Sequence, residues 1–153
     1  MERALVVLET SEDGQTILRE AGELAAGVDA RLDVLALMTP EEYEEKRETL
    51  EAAGKGEHTT YNERAVLDNR RQRAEETVEE ALDDLDVDWN TVAALVGDSE
   101  TEADRILQSA EKHETDHVFL TGKKRSPTGK AVFGDRSQAV ILNFDGPVTT
   151  LLG

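Results

Sequence analysis

The chain of 153 residues contains no cysteine, which excludes disulfides and thiolate metal sites and fits a reducing interior. Aromatic residues are scarce: one Trp, two Tyr and three Phe. Stacking surfaces for bases or sugars are correspondingly few. No apolar run approaches the length of a membrane span. The opening Met1-Glu-Arg3 leads at once into a strand-like Ala4-Leu-Val-Val-Leu8, so no signal pattern is expected there. Positive charge is short as well, with 17 Lys and Arg against 34 Asp and Glu, a net charge of −17. Such a field repels nucleic acid and anionic membranes, and neither is expected as a partner. A cytoplasmic protein is expected. The apolar patterning is intact, so the acidity reads as a solvated, salt-adapted surface rather than as disorder.

What is present is a strict alternation of strands and helices, expected to form one domain over residues 1–153. Ala4 to Leu8 reads as a strand covered on both faces. Thr10, Ser11 and Asp13 offer N-caps for a helix carrying Ile17, Leu18, Ala21, Leu24 and Ala25, with Gly27 as its stop. Leu32 to Met38 is a second buried strand, ended by Thr39-Pro40. An acidic helical stretch from Glu41 to Leu50 and a flexible Gly54–Thr60 follow. A long charged helix is predicted from Asn62 to Leu85, with Ala65, Val66, Asn69, Arg73, Thr77, Ala81 and Leu85 near one face. That stripe is thin and suits cover for the sheet edge. Asp86 to Asn90 reads as a turn-like link, Thr91 to Val96 as strand three, and Thr101 as the cap of the next helix. His117 to Thr121 and Val148 to Leu152 are the last two strands. Alternation of this kind means an α/β fold, a parallel sheet with helices on both faces. Ligands of such sheets sit beyond the strand C-termini where strand order reverses, which puts Glu9 and Gly122 on one rim.

The segment after the fourth strand concentrates the chemistry. Gly122, Gly129 and Gly134 permit close backbone approach and positive φ. Lys123, Lys124, Arg125, Lys130 and Arg136 gather there in an otherwise acidic chain. A helix starting near Gly134 directs unpaired N–H groups and a favourable dipole at the same place. Strand, glycine loop and helix N-terminus together can build an anion site.

Competing motifs fail on context. His113-Glu-Thr-Asp-His117 matches the letters of the H-E-x-x-H zinc motif, which needs both histidines on one helix face. Here the helix should end near His113 and His117 opens a strand, so no metal is expected. Gly129-Lys130 lacks both the P-loop spacing and a following Ser or Thr, and the first strand is not followed by G-x-G-x-x-G. Neither Ser11 nor Ser137 has an evident His partner, so no nucleophilic triad is expected. Trp89 reads as a packing residue beside strand three.

Across nearly its full length the chain resembles the universal stress protein family. Val118-Phe-Leu-Thr-Gly122, the nine-residue spacer from Arg125 to Phe133, and Gly134 resemble its nucleotide loop. Lys124 stands near the place of that loop's second glycine. Asp135 replaces a Ser or Thr, and Ser137 matches a small hydroxyl residue three positions after the last glycine. Glu9 is similar to the acid that follows the family's first strand, and Leu37 and Gly97 match positions lining the adenine pocket. The resemblance implies an open five-stranded Rossmann-like sheet of order 3-2-1-4-5. It also implies ATP or AMP as ligand, with Mg²⁺ where Asp135 faces phosphate, and a homodimer through the C-terminal strand. Gly129, Lys130, Gly134 and Arg136 would hold phosphates, Glu9 the ribose and Leu37 the adenine. The expected role is a stress-response switch rather than an enzyme, its protein partner unidentified. The alternative is a dimeric interaction module of the same fold without nucleotide.

Overall fold

A computed structural model describes residues 1–53, 62–123 and 134–153. The expected Gly129 and Lys130 contacts, and Lys124 and Arg125, lie outside the described residues. In chain order the elements are β1 (Arg3–Val7), α1 (Glu12–Val28), β2 (Arg31–Met38), α2 (Pro40–Ala53), α3 (Glu63–Leu82), β3 (Asp88–Leu95), α4 (Glu102–Lys112), β4 (His117–Gly122), α5 (Asp135–Asn143) and β5 (Val148–Leu152). The strands form one parallel sheet in the order β3-β2-β1-β4-β5. Strand order therefore reverses between β1 and β4, as expected.

Two apolar layers flank the sheet. On one face Ile17, Leu18, Ala21 and Ala25 of α1 and Val78 and Leu82 of α3 pack on Ala4, Val6, Leu32, Val34 and Phe119. On the other, Ala103, Ile106 and Ala110 of α4 and Val140 of α5 pack on Leu5, Val7, Leu35, Leu37, Val118 and Leu120. The period of two within each strand divides its side chains between these layers, which is why β1 and β2 read as continuous apolar runs.

Four helices begin on a side-chain cap. Ser11 accepts from the Gly14 N–H at 3.0 Å, Asn62 from Ala65 at 2.9 Å and Thr101 from Asp104 at 3.1 Å. Thr39 and Glu42 cap each other's N–H at the start of α2, just ahead of Pro40. Each satisfies a first-turn donor that the helix leaves open.

Three local expectations need correction. Asp88 to Asn90 are strand, not link, paired with Arg31 to Asp33; Trp89 is partly buried against the α1–α3 layer. Helix α1 runs past Gly27 to Val28 and is closed by Asp29, whose φ of 57° is left-handed. Helix α3 ends at Leu82, and the residues it buries are Val66, Ala74, Val78 and Leu82. Val66 is buried as expected and Ala81 and Leu85 pack on this layer, but Arg73 and Thr77 are exposed and Ala74 and Val78 take their places. The helix does cover the β2–β3 side of the sheet, as its thin stripe suggested.

Candidate functional site

Two adjoining clefts open above the C-terminal ends of β1, β2 and β4. The larger, about 530 Å³, has Val7, Leu8, Ala36 and Leu37 at its base. Glu42, Arg70 and Arg73 form one wall, and Glu102 and Arg136 the other. The second, about 400 Å³, is lined by Thr121, Gly122, Lys123 and the first turn of α5, Gly134 to Ser137. Glu9, Glu102 and Arg136 line both. Cleft volumes of this size accommodate a drug-sized ligand.

Glu9 is placed by the turn from β1 into α1. Gly14 packs directly against it: a Cβ on Gly14 would lie 2.8 Å from the Glu9 Cβ and closer still to its backbone carbonyl. Glu9 in turn accepts the Thr121 hydroxyl of β4 and pairs with the Arg136 guanidinium of α5. Both partners are largely shielded, at 19% and 27% side-chain exposure for Arg136 and Glu9. Glu102, at the start of α4, lies 3.8 Å from the same guanidinium. Three elements that are distant in sequence thus meet around one cation.

The α5 end is built differently from the other helix starts. Gly134 is its N-cap with an extended backbone, and no side chain among the described residues caps the first turn. Ser137 is buried and spends its hydroxyl on the Thr121 carbonyl at 3.0 Å, tying α5 to the end of β4. Asp135 is exposed in the first turn. Gly122 and Gly134 both have negative or extended φ rather than the left-handed backbone that glycine permits. Gly122 is needed for space: a Cβ there would meet Leu152, Thr150 and the Ser137 hydroxyl at 2.9–3.0 Å.

Of the residues singled out from sequence, Glu9, Gly122, Gly134, Asp135, Arg136 and Ser137 come together in the smaller cleft, and Leu37 lines the larger one. Gly97 lines neither. It caps the end of β3, donating its N–H to Glu100 at 2.9 Å. That bond, and then Gln108, hold the Glu100 carboxyl below its usual range. His113 closes α4 while His117 lies in β4, so the zinc motif's single helix face is not formed. Sequence reading passed over Thr121, Glu102, Arg70 and Arg73. Thr121 and Glu102 sit at the same rim by the strand-end rule and could have been found by it. Arg70 and Arg73 could not, since they project from a helix whose polar residues all look solvated.

The universal stress protein family model matches residues 1–151. The chain belongs to the universal stress protein family. No curated protein matches it. Among solved structures, universal stress protein UspA from Lactobacillus plantarum is 20% identical, with a TM-score of 0.63 over 98% of this chain and 97% of that one. A universal stress protein in complex with cAMP is 13% identical, with a TM-score of 0.64 over 99% of this chain and 96% of that one. The Archaeoglobus fulgidus universal stress protein in complex with dAMP is 14% identical, with a TM-score of 0.57 over 98% of this chain and 96% of that one. At these identities the likeness is one of fold, and it extends over the whole five-stranded sheet of this universal stress protein.

Proposed function

We propose that this universal stress protein binds an adenine nucleotide, AMP or ATP with Mg²⁺, at the two joined clefts, and acts as a dimeric stress-response switch without catalytic turnover. One observation carries the reading: the N-terminus of α5, capped by no side chain among the described residues, lines the cleft at the switch point with Lys123, Arg136 and Ser137 around it. Open first-turn N–H groups and the helix dipole favour phosphate. The apolar base at Val7, Ala36 and Leu37 suits a purine, and Glu9 offers a carboxylate for ribose hydroxyls. Family relatives solved with cAMP and dAMP support an adenine nucleotide as the ligand class. Among the described residues no histidine lines the clefts, so the Thr121 hydroxyl beside Glu9 has no imidazole base, which supports binding without turnover. Among the described residues strand β5 pairs only with β4, and its residues are half-buried. A parallel-sheet edge of that kind supports two-fold pairing with a second copy.

The nucleotide-free module is the second reading, favoured by the Glu9–Arg136 pair. The cation best placed for phosphate is already neutralised from within the chain, and Asp135 sets a further carboxylate beside it. Amide NMR during an AMP titration separates the two. Nucleotide binding should move resonances of Glu9, Thr121, Gly122 and Gly134 to Ser137 together. A spectrum unchanged at millimolar AMP, or shifts scattered away from these residues, would favour the module.

A further inference from the structure

We propose that the cleft between α2 and α3, which backs onto the larger nucleotide cleft through the shared Glu42, Arg70 and Arg73, binds the phosphoryl group of a small organic phosphate on Lys46, Arg70 and Arg73. This cleft, about 270 Å³, opens beside Met38 at the end of β2 and is also lined by Asn69 and Glu45. Its cations are the unusual feature in a chain of net charge −17. Elsewhere on α2 and α3 the guanidinium groups of Arg47 and Arg71 are spent on carboxylates one turn away. Lys46 and Arg73, by contrast, have no carboxylate within ion-pair distance among the described residues. Arg70 is held in place by the Leu37 carbonyl at 2.7 Å and by Glu42 at 3.2 Å. The three cations repel one another: burial first, and then Arg73 and Arg70, lower the pKa of the Lys46 ammonium. An anion seated among them relieves that repulsion, and guanidinium groups recognise phosphate oxygens in pairs.

Two carboxylates also line the cleft, those of Glu42 and Glu45. Glu42 is engaged by Arg70, and the five charged groups together leave one net positive charge, which favours an anion over a neutral ligand. A second observation points to an organic rather than a bare phosphate. The Asn69 Oδ1 atom is buried without a hydrogen-bond partner among the described residues. It is an acceptor and cannot serve phosphate oxygens, but a ligand hydroxyl would satisfy it. Arg70 and Arg73 also line the larger nucleotide cleft, whereas Lys46 and Asn69 line neither nucleotide cleft, so Lys46 is the residue that tells the two sites apart.

Calorimetry with the full chain, using ribose 5-phosphate, ribose and inorganic phosphate as probes, tests the site. Ribose 5-phosphate should bind with one-to-one stoichiometry, inorganic phosphate more weakly, and ribose not measurably. Lys46→Gln should weaken ribose 5-phosphate about tenfold or more, while Lys112→Gln at the end of α4, which lines none of the three clefts, leaves it unchanged. Absence of ribose 5-phosphate binding at millimolar concentration would overturn the site, as would binding that Arg136→Gln abolishes and Lys46→Gln spares. AMP titrated into Lys46→Gln keeps the two readings apart. Retained AMP affinity with ribose 5-phosphate unbound by the wild type sinks only the α2–α3 site, and the converse sinks only the nucleotide reading.

Discussion

The residue that most sharply opposes phosphate binding is Asp135. It sits in the first turn of α5, where a carboxylate also gains from the helix dipole, so it competes with a ligand for the same field. Removing that competition by Asp135→Ser should tighten metal-free ATP roughly tenfold, corresponding to about 1.4 kcal/mol, in a titration without Mg²⁺. If the substitution instead weakens ATP only when Mg²⁺ is present, Asp135 serves through the metal. Arg136 has a structural role beside any ligand role. Its Arg136→Gln variant leaves the shielded Glu9 carboxylate without its charged partner and should cost about 1–3 kcal/mol in urea unfolding. A variant as stable as wild type would mean that Glu9 is served by Thr121 and solvent alone.

At the scale of elements, two glycines of α1 give opposite expectations for the same change. Gly27 has open space around it, so Gly27→Ala should gain about 0.5–1 kcal/mol from the restricted unfolded chain. Gly14 is pressed against the Glu9 backbone, so Gly14→Ala should lose stability and displace the β1–α1 turn. Equal Tm shifts for the two variants would contradict this packing. His117 joins β4 to β5 through Thr149 at 2.8 Å and stacks on Phe119. Burial lowers its pKa from the usual 6.5. The unfolded chain therefore takes up the proton first, and stability should fall as pH drops below the ordinary histidine value toward the lowered folded one. His117→Gln should flatten that part of the pH–stability profile.

Elements were legible where burial is two-sided: β1, β2 and β4 announce themselves as apolar runs. Thr101 is a cap readable from its spacing, Ser11 is one of three candidates the sequence offers, and Asn62 marks its helix start without being singled out as the cap. The start of β3 was not, because an outer strand bonded only to β2 tolerates Asp88 and Asn90 facing water. The face of α3 was legible only in part, at Val66, Ala81 and Leu85. In a helix this charged, Ala74, Val78 and Leu82 are a sparse set, and only packing distinguishes them from the neighbouring Arg73 and Thr77. The candidate site was legible on its loop side, where Glu9 and Gly122 follow from the strand-end rule, Arg136 from the clustered positive charge and Ser137 from the family resemblance. Its helical wall, Arg70 and Arg73, depends on how α3 is rotated, which local sequence does not specify.

On the whole molecule, net charge dominates. With −17 on a chain of this size, self-repulsion should destabilise the fold in dilute buffer, and salt should relieve it. Tm is expected to rise steadily from low to molar KCl, by more than a single exposed ion pair could supply. A flat profile would contradict a salt-adapted surface. Assembly belongs to this scale as well. Thr150→Pro removes a backbone donor from β5 and should yield monomer or aggregate by light scattering, whereas an unchanged dimer would place the interface elsewhere. The central claim remains that the α5 end and the apolar base between β1 and β2 together hold an adenine nucleotide. Calorimetric titration of AMP and ATP into the wild-type protein at high salt, with and without Mg²⁺, tests it most directly. The account predicts saturable one-to-one binding of at least one of them and no release of phosphate or diphosphate product during the titration. Absence of heat and of competition by either nucleotide at millimolar concentration, from both wild type and Asp135→Ser, would contradict it.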